Sequence, residues 1–131
     1  AGRLRGRRTI ATSSWARVSS SEMQLSGIPF STTDWDAIEP EPHTGAAGVA
    51  YWRTRNFGEI RVRMVEYSPG YVADHWCSKG HILLCLKGEL HTELDNGQVH
   101  VLRPGMSYQV ADATDAHRSS SPNGATLFIV D

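Results

Sequence analysis

The fold is decided by residues 81–110, which read HILLCLKGELHTELDNGQVHVLRPGMSYQV. Short apolar runs, continuous at first and then alternating with polar residues, predict four strands: His81–Lys87, Glu89–Leu94, Gln98–Leu102 and Met106–Val110. The continuity of the first run predicts a strand that is covered on both sides. Asn96 and Gly97 favour a tight hairpin turn, and Pro104 breaks the chain before the last strand.

Strand signals continue on both sides of this stretch. Val49–Arg55, Glu59–Tyr67 and Ala125–Val130 are further apolar or alternating segments of strand length. Helix signals are scarce, although Thr33–Asp36 has the residues to cap a single turn before Pro40. Many short strands separated by turns indicate an all-β sandwich or barrel.

The segment Glu59–Tyr67 alternates strictly between two kinds of side chain. The two sets are apolar Ile60, Val62 and Met64, and charged Glu59, Arg61 and Arg63. Alternation places them on opposite faces of a strand, and we expect the apolar set to face the core and the arginines to be solvated. The alternative is that the arginines, with Tyr67 and Tyr108, line a barrel mouth where an anionic substrate binds.

Length and composition fit one soluble domain. The chain has 131 residues, of which 40% are hydrophobic and 21% charged, which is enough for one compact core. No apolar run approaches the roughly 18 residues of a membrane-spanning helix, so no membrane partner is expected. The two cysteines, Cys77 and Cys85, provide no disulfide framework, and the cytoplasm is the expected location.

Charge separates the beginning of the chain from the rest. Residues 1–21 hold five arginines and no acidic residue, which leaves eight basic and 13 acidic residues from Met23 onward. We therefore divide the chain into a basic, flexible N-terminal segment at residues 1–22 and a domain at residues 23–131. An arginine-rich leader is also typical of a transit peptide or a nucleic-acid-binding arm. The arginines lack interleaved aromatic residues, so no nucleic-acid partner is expected.

Histidine and cysteine residues cluster just before the first of the four strands. His75 and Cys77 are two residues apart and share one face of an extended chain, and Ser78–Gly80 can form a tight turn. In the resulting hairpin Cys77 lies opposite His81, so that three potential ligands converge. Imidazole and thiolate ligands suit Zn²⁺, Fe²⁺, Cu or Ni better than Mg²⁺ or Ca²⁺. The same register places Cys85 beyond disulfide reach of Cys77.

These residues resemble the first sequence motif of the cupin family, which consists of glycine, two histidines, glutamate and glycine at fixed spacing. The positions that match this spacing are Gly70, His75, Cys77, His81 and Gly88. Cys77 stands in place of the second histidine and His81 in place of the glutamate. Asp74–Cys77 also resembles the signature of the small bacterial DHCW-motif cupins, although the order here is Asp-His-Trp-Cys.

The second cupin motif is degenerate in this chain. It begins at Gly105, Ala111 and Ala113 replace its proline and glycine, and its histidine is His117, one residue later than in the family. The resemblance covers about Glu59–Asp131. It implies a cupin-type double-stranded β-helix, that is, a jelly-roll barrel.

The resemblance also implies a metal centre in the mouth of the barrel. Its expected ligands are His75, Cys77, His81 and His117, and the expected cofactor is a divalent transition metal, Zn²⁺ first and Fe²⁺ second. Four protein ligands would form a closed structural site, whereas three would leave a position open for catalysis. The alternative is a metal-free cluster whose side chains fill the barrel.

Three classes of function remain open at this point. The first is a metal-dependent enzyme acting on a small polar metabolite by dioxygenase, isomerase or lyase chemistry. The second is a non-catalytic module that binds a small molecule or senses a metal, because fold does not fix function. The third is a structural domain that forms a homodimer through its sheet edge. The sequence identifies no catalytic residue, and enzyme activity is left undecided.

Overall fold

A computed structural model describes residues 24–131, and the predicted N-terminal segment, residues 1–22, lies outside this part of the chain. One 3₁₀ turn, Trp35–Ala37, is capped by the Asp34 side chain, as predicted. Ten strands follow it: β1 (Glu41–Thr44), β2 (Val49–Phe57), β3 (Ile60–Tyr67), β4 (Tyr71–Val72), β5 (His81–Gly88), β6 (Leu90–Leu94), β7 (Val99–Leu102), β8 (Ser107–Val110), β9 (His117–Ser121) and β10 (Ala125–Val130). The all-β prediction is confirmed.

The strands form two antiparallel sheets. The six-stranded sheet has the order β1-β2-β3-β10-β5-β8, and the four-stranded sheet has the order β4-β9-β6-β7. Strands far apart in sequence, such as β3 and β10, are neighbours in a sheet, as in a jelly roll. No helix in residues 24–131 is long and apolar enough to cross a membrane.

The core lies between the two sheets and follows the alternation of the strands. Its fully or nearly fully buried side chains include Val65, Leu83, Cys85, Leu90, Leu102, Leu127 and Ile129. Leu127 and Ile129 of β10 are two residues apart and therefore share the inner face. Cys85 is fully buried in this cluster, and both cysteines are free, so the expectation of no disulfide is confirmed.

Two predicted strand faces are wrong. On β3 the inner face carries Arg63, which is 5% exposed, and Val65, whereas Val62 lies on the outer side. Alternation shows that a strand has two faces but not which of them is buried, and on β3 both faces carry apolar side chains. On β5, Ile82 is 58% exposed and Leu86 39% exposed, so this strand is covered on one side and not on both.

Three strands were not predicted from the sequence. β1, β4 and β9 are short, and β9 has the composition His-Arg-Ser-Ser-Ser, which contains no apolar residue. β9 is nevertheless a central strand of its sheet, because it pairs with both β4 and β6. The hydroxyl of Ser121 at its end is buried and donates to the carbonyl oxygen of Glu89.

Two turns show what glycine does in the motifs. Gly88 has a φ of 72°, and a Cβ atom there would clash with the carbonyl oxygen of Gly124 on the neighbouring turn. Ala113, which stands where the second motif has glycine, keeps the left-handed conformation, with a φ of 56°. Its N–H donates to the carbonyl oxygen of Ser78 at 2.8 Å. The turn therefore persists although its residue is strained.

We expect Ala113→Gly to stabilise the protein by up to about 1 kcal/mol, because glycine adopts a positive φ without the steric penalty of a Cβ atom. The matched change Ala111→Gly, at a position without positive φ, should leave stability unchanged or lower it. Urea denaturation of the two variants checks the difference. Equal effects of the two substitutions would contradict the strained turn.

Candidate metal centre

Two histidines meet between the sheets at one end of the barrel. His81 is the first residue of β5, in the six-stranded sheet, and His117 is the first residue of β9, in the four-stranded sheet. The side chain of His81 is 8% exposed, and His117 is 3% exposed. Their Nε2 atoms lie 3.0 Å apart. The fold therefore brings two of the predicted ligands together across the space between the sheets.

The surroundings of the two rings decide where their lone pairs point. His117 Nδ1 lies 2.9 Å from the carbonyl oxygen of Asp115 and donates to it, so Nε2 of the neutral ring carries a lone pair. His81 Nδ1 faces the carboxylate of Asp131 at 3.5 Å, which favours the proton on Nδ1. The phenol of Tyr108 lies 3.0 Å from His81 Nε2 and donates to it. The lone pair of His81 Nε2 thus already accepts the phenol proton, and a cation or a proton between the two Nε2 atoms would interact with the lone pair of His117 as well.

The separation of the Nε2 atoms fits ligation of one ion. Imidazole nitrogens bind Zn²⁺ at about 2.0–2.1 Å, so two of them are roughly 2.9 Å apart at a right angle and roughly 3.4 Å apart at the tetrahedral angle. The observed 3.0 Å lies in this interval. His117 Nδ1 donates to the carbonyl oxygen of Asp115, the outer hydrogen bond that ligating histidines typically make, and His81 Nδ1 faces the carboxylate of Asp131 at 3.5 Å. The pair therefore suits a divalent transition metal.

Cys77 lies beside this pair, but not through the predicted hairpin. It forms an isolated antiparallel bridge with His117, while His81 pairs with Val110 of β8. The predicted pairing of Cys77 with His81 is wrong, because residues 78–80 carry the chain from one sheet to the other and do not turn it back. Directly opposed residues project to the same face, so Cys77 lines the same cavity as His117.

His75 stands at the rim of the cavity. Its side chain is 74% exposed, and its Nδ1 lies 2.6 Å from a carboxylate oxygen of Asp74. Strand alternation would have pointed the two side chains apart, but residues 73–76 belong to no strand. Within residues 24–131 no three His, Cys, Asp or Glu side chains are close enough to hold a metal ion. The set of four ligands therefore stays a prediction, and the structure brings His81 and His117 together.

An ion-pair network adjoins the two histidines. The carboxylate of Asp131 accepts hydrogen bonds from Arg61 Nε at 2.8 Å and Nη2 at 2.9 Å, and from Arg63 Nη2 at 2.8 Å. The backbone of Asp131 continues the β10 ladder, because its N–H and carbonyl pair with those of Arg61. Arg61 and Asp131 therefore oppose each other on the inner face of the sheet, which carries His81 on the next strand.

The network shifts the pKa values of its members. Burial alone would raise the pKa of Asp131, but the hydrogen bond from Arg61 and the charge of Arg63 lower it to about 2. Burial lowers the pKa of Arg63, because its charge is removed from water and lies beside Arg61. Burial raises the pKa of Tyr108, which keeps its phenol protonated. Asp131 is therefore a permanent carboxylate and Tyr108 a hydrogen-bond donor.

The histidines and the network line one cavity of about 270 Å³. Its wall also contains Trp52, Tyr67, Lys79 and Ser119. The expectation that Arg61 and Arg63 are solvated is wrong, and their alternative placement in the barrel mouth is confirmed. Asp131 and Trp52 were not predicted as site residues. Alternation along Leu127 and Ile129 points to Asp131, since the third position of that series falls on the inner face.

Comparison with solved structures identifies the fold. The chain is similar to an RmlC-like cupin from Shewanella frigidimarina, with 22% identity, a TM-score of 0.58, and coverage of 75% of this chain and 86% of that one. It is similar to a predicted oxalate decarboxylase from Thermotoga maritima, with 15% identity, a TM-score of 0.66, and coverage of 76% and 96%. It is also similar to ectoine synthase from P. lautus, with 15% identity, a TM-score of 0.62, and coverage of 77% of this chain and 76% of that one.

At these identities the similarity shows the fold alone. The predicted cupin-type jelly roll is confirmed, and this chain has the cupin fold. No protein-family model matches the sequence, and no curated protein matches it. The DHCW resemblance is carried by residues 74–77 only. What the site binds must be argued from its own residues.

We expect the metal-free protein to lose stability as the pH falls from about 6.5 to about 4. Burial, followed by the charge of His117, lowers the pKa of His81 to about 4 from 6.5. In this interval the unfolded chain binds a proton that the folded chain does not, so the free energy of unfolding decreases with decreasing pH. Urea denaturation with EDTA present measures this slope. His81→Gln should flatten it, and His100→Gln, at an exposed position, should not.

Proposed function

We propose that this cupin-fold chain binds a divalent transition metal through His81 and His117 and uses it to bind a small polar metabolite in the adjoining cavity. The observation that supports this proposal is the 3.0 Å separation of two buried Nε2 atoms whose Nδ1 atoms face Asp115 and Asp131. A metal ion between the two nitrogen atoms would be bound by both rings at once, whereas a packing role requires the rings to share a proton.

Cys77 and His75 complete the proposed ligand set. Cys77 is the third ligand, because its backbone pairs with His117 and its side chain lines the cavity. His75 is the fourth, and it must leave its contact with Asp74 and rotate inward from the rim. A thiolate in the set favours Zn²⁺ first and Fe²⁺ second over harder ions. The exposed position of His75 at the rim leaves room for a metabolite to replace it.

The metal would supply a Lewis acid that polarises an oxygen atom of the metabolite. The remaining roles fall to side chains of this chain. Tyr108 keeps its proton, and once the metal binds His81 Nε2 its phenol can donate to the bound metabolite instead of to His81. Asp131 holds two guanidinium groups in place and faces His81 Nδ1 at 3.5 Å. The walls formed by β3 and β5 separate the bound molecule from bulk water and so strengthen these interactions.

A non-catalytic module is the second candidate function, and one observation favours it. Asp131 is the one carboxylate among the described residues that line the cavity, and it is held by two arginines with a pKa near 2. Such a carboxylate is a poor general base at neutral pH. Turnover of a bound metabolite would support the enzyme, whereas tight binding of metal and metabolite without turnover would support the module.

We expect the apo protein to take up about one equivalent of Zn²⁺, and His81→Ala or His117→Ala to weaken binding more than tenfold, because each removes a directly bound imidazole. His75→Ala should have a smaller effect, and His91→Ala, whose imidazole pairs with Glu89 outside the cavity, should have none. Competition with a chromophoric chelator and elemental analysis measure affinity and content.

Cobalt substitution tests the thiolate. The Co²⁺-loaded protein should show a thiolate-to-cobalt absorption band that Cys77→Ser abolishes, and Zn²⁺ affinity should fall as the pH drops and the ligands protonate. Unchanged metal content in a His81→Ala/His117→Ala double variant would refute the proposed site. In that case the two rings are packing residues that share a proton.

A further inference from the structure

An arginine pair forms the wall of the cavity that adjoins the two histidines. Arg61 and Arg63 project from the inner face of β3, with side chains 30% and 7% exposed. A nearly buried guanidinium is rare unless it is paired, because removing its charge from water is unfavourable. The burial of the Arg63 guanidinium therefore requires an explanation other than packing.

Trp52 holds both guanidinium groups in place. The ring of Trp52 lies 4.3 Å from the guanidinium carbon of Arg63 and 5.4 Å from that of Arg61, and it stacks on His43 at a centroid distance of 3.8 Å. Asp131 fixes the same two groups from another side. A cation fixed by stacking and by a carboxylate loses little side-chain entropy when it binds a ligand. The pair is therefore preorganised.

The positive charge in the cavity is not balanced by the described residues. Its lining contains three cations, Arg61, Arg63 and Lys79, and one carboxylate, Asp131. Two positive charges remain, one of them on a nearly buried wall. Arg61 and Arg63 share a single carboxylate, so one guanidinium charge beside this largely buried wall has no carboxylate of its own. An anion of charge −2 would restore the balance.

The donors needed to bind such an anion are present. Each guanidinium has five N–H groups. Arg61 donates two of them to Asp131, and Arg63 donates one. The planar fork of a guanidinium matches the two oxygen atoms of a carboxylate. Lys79 is exposed at the rim and adds a third positive group.

We infer that the cavity selects a short-chain dicarboxylate, with one carboxylate bound by Arg61, Arg63 and Lys79 and the other end directed toward His81 and His117. The volume of about 270 Å³ restricts the ligand to a small metabolite. This inference rests on the proposed function only for the end of the dicarboxylate that is directed toward His81 and His117. The first end depends on residues that are not proposed metal ligands, so the two proposals can fail separately.

The test measures binding of succinate by titration calorimetry to both the metal-free and the Zn²⁺-loaded protein. Succinamide, which has the same shape and no charge, is the control ligand, and inorganic phosphate is the competing anion. Arg61→Gln should weaken succinate binding at least tenfold in both states and leave Zn²⁺ content unchanged. Arg118→Gln removes the same charge from a residue that pairs with Glu93 and does not line the cavity, so it should change binding less than twofold.

Lys79→Gln is a second variant, because Lys79 is exposed and the described ion pairs of Asp131 do not include it, so its loss does not threaten folding. It should weaken succinate binding several-fold. Equal affinity for succinate and succinamide, tighter binding of phosphate than of succinate, or equal losses in Arg61→Gln and Arg118→Gln would overturn the inference. Succinate binding that depends on Arg61 in a protein that binds no Zn²⁺ would refute the proposed metal site and support the anion site.

Discussion

Asp131 ties neighbouring strands of the six-stranded sheet together on their inner face. Its carboxylate accepts hydrogen bonds from Arg61 and Arg63 on β3 and faces His81 on β5, while its backbone extends β10 between them. The side chain is completely buried. Without this carboxylate the two guanidinium groups would repel each other in a partly buried space. The placement of the arginines and the shape of the cavity wall depend on it.

The sequence predicts the fold well because the decisive signals are local. Alternation and turn residues identify seven strands to within two residues, including Ala125–Val130 without error. The sequence does not predict strands whose existence depends on partners. β9 has no apolar side chain to reveal it, and it forms because β4 and β6 offer backbone hydrogen bonds on both of its edges. β4 has two residues and no periodicity that could be detected.

The site is only half predictable for a related reason. Motif spacing identifies His81 and His117, which are 36 residues apart and meet across the two sheets. The expected hairpin fails because spacing cannot show that residues 78–80 cross between sheets. The expectation of solvated arginines on β3 is wrong, because alternation does not show which face of a strand is buried. Tertiary pairing decides that choice, and it places Arg63 under Trp52.

The two histidines belong to different sheets, so the width of the barrel mouth depends on what is bound there. An ion bound to both Nε2 atoms would fix the spacing of the sheets at that end, and the arginine wall stands on one of the same sheets. Binding of the ion would therefore change the affinity for the anion in two ways, through the width of the opening and through the charge of the ion. By thermodynamic linkage, the factor by which the ion changes the affinity for the anion must equal the factor by which the anion changes the affinity for the ion.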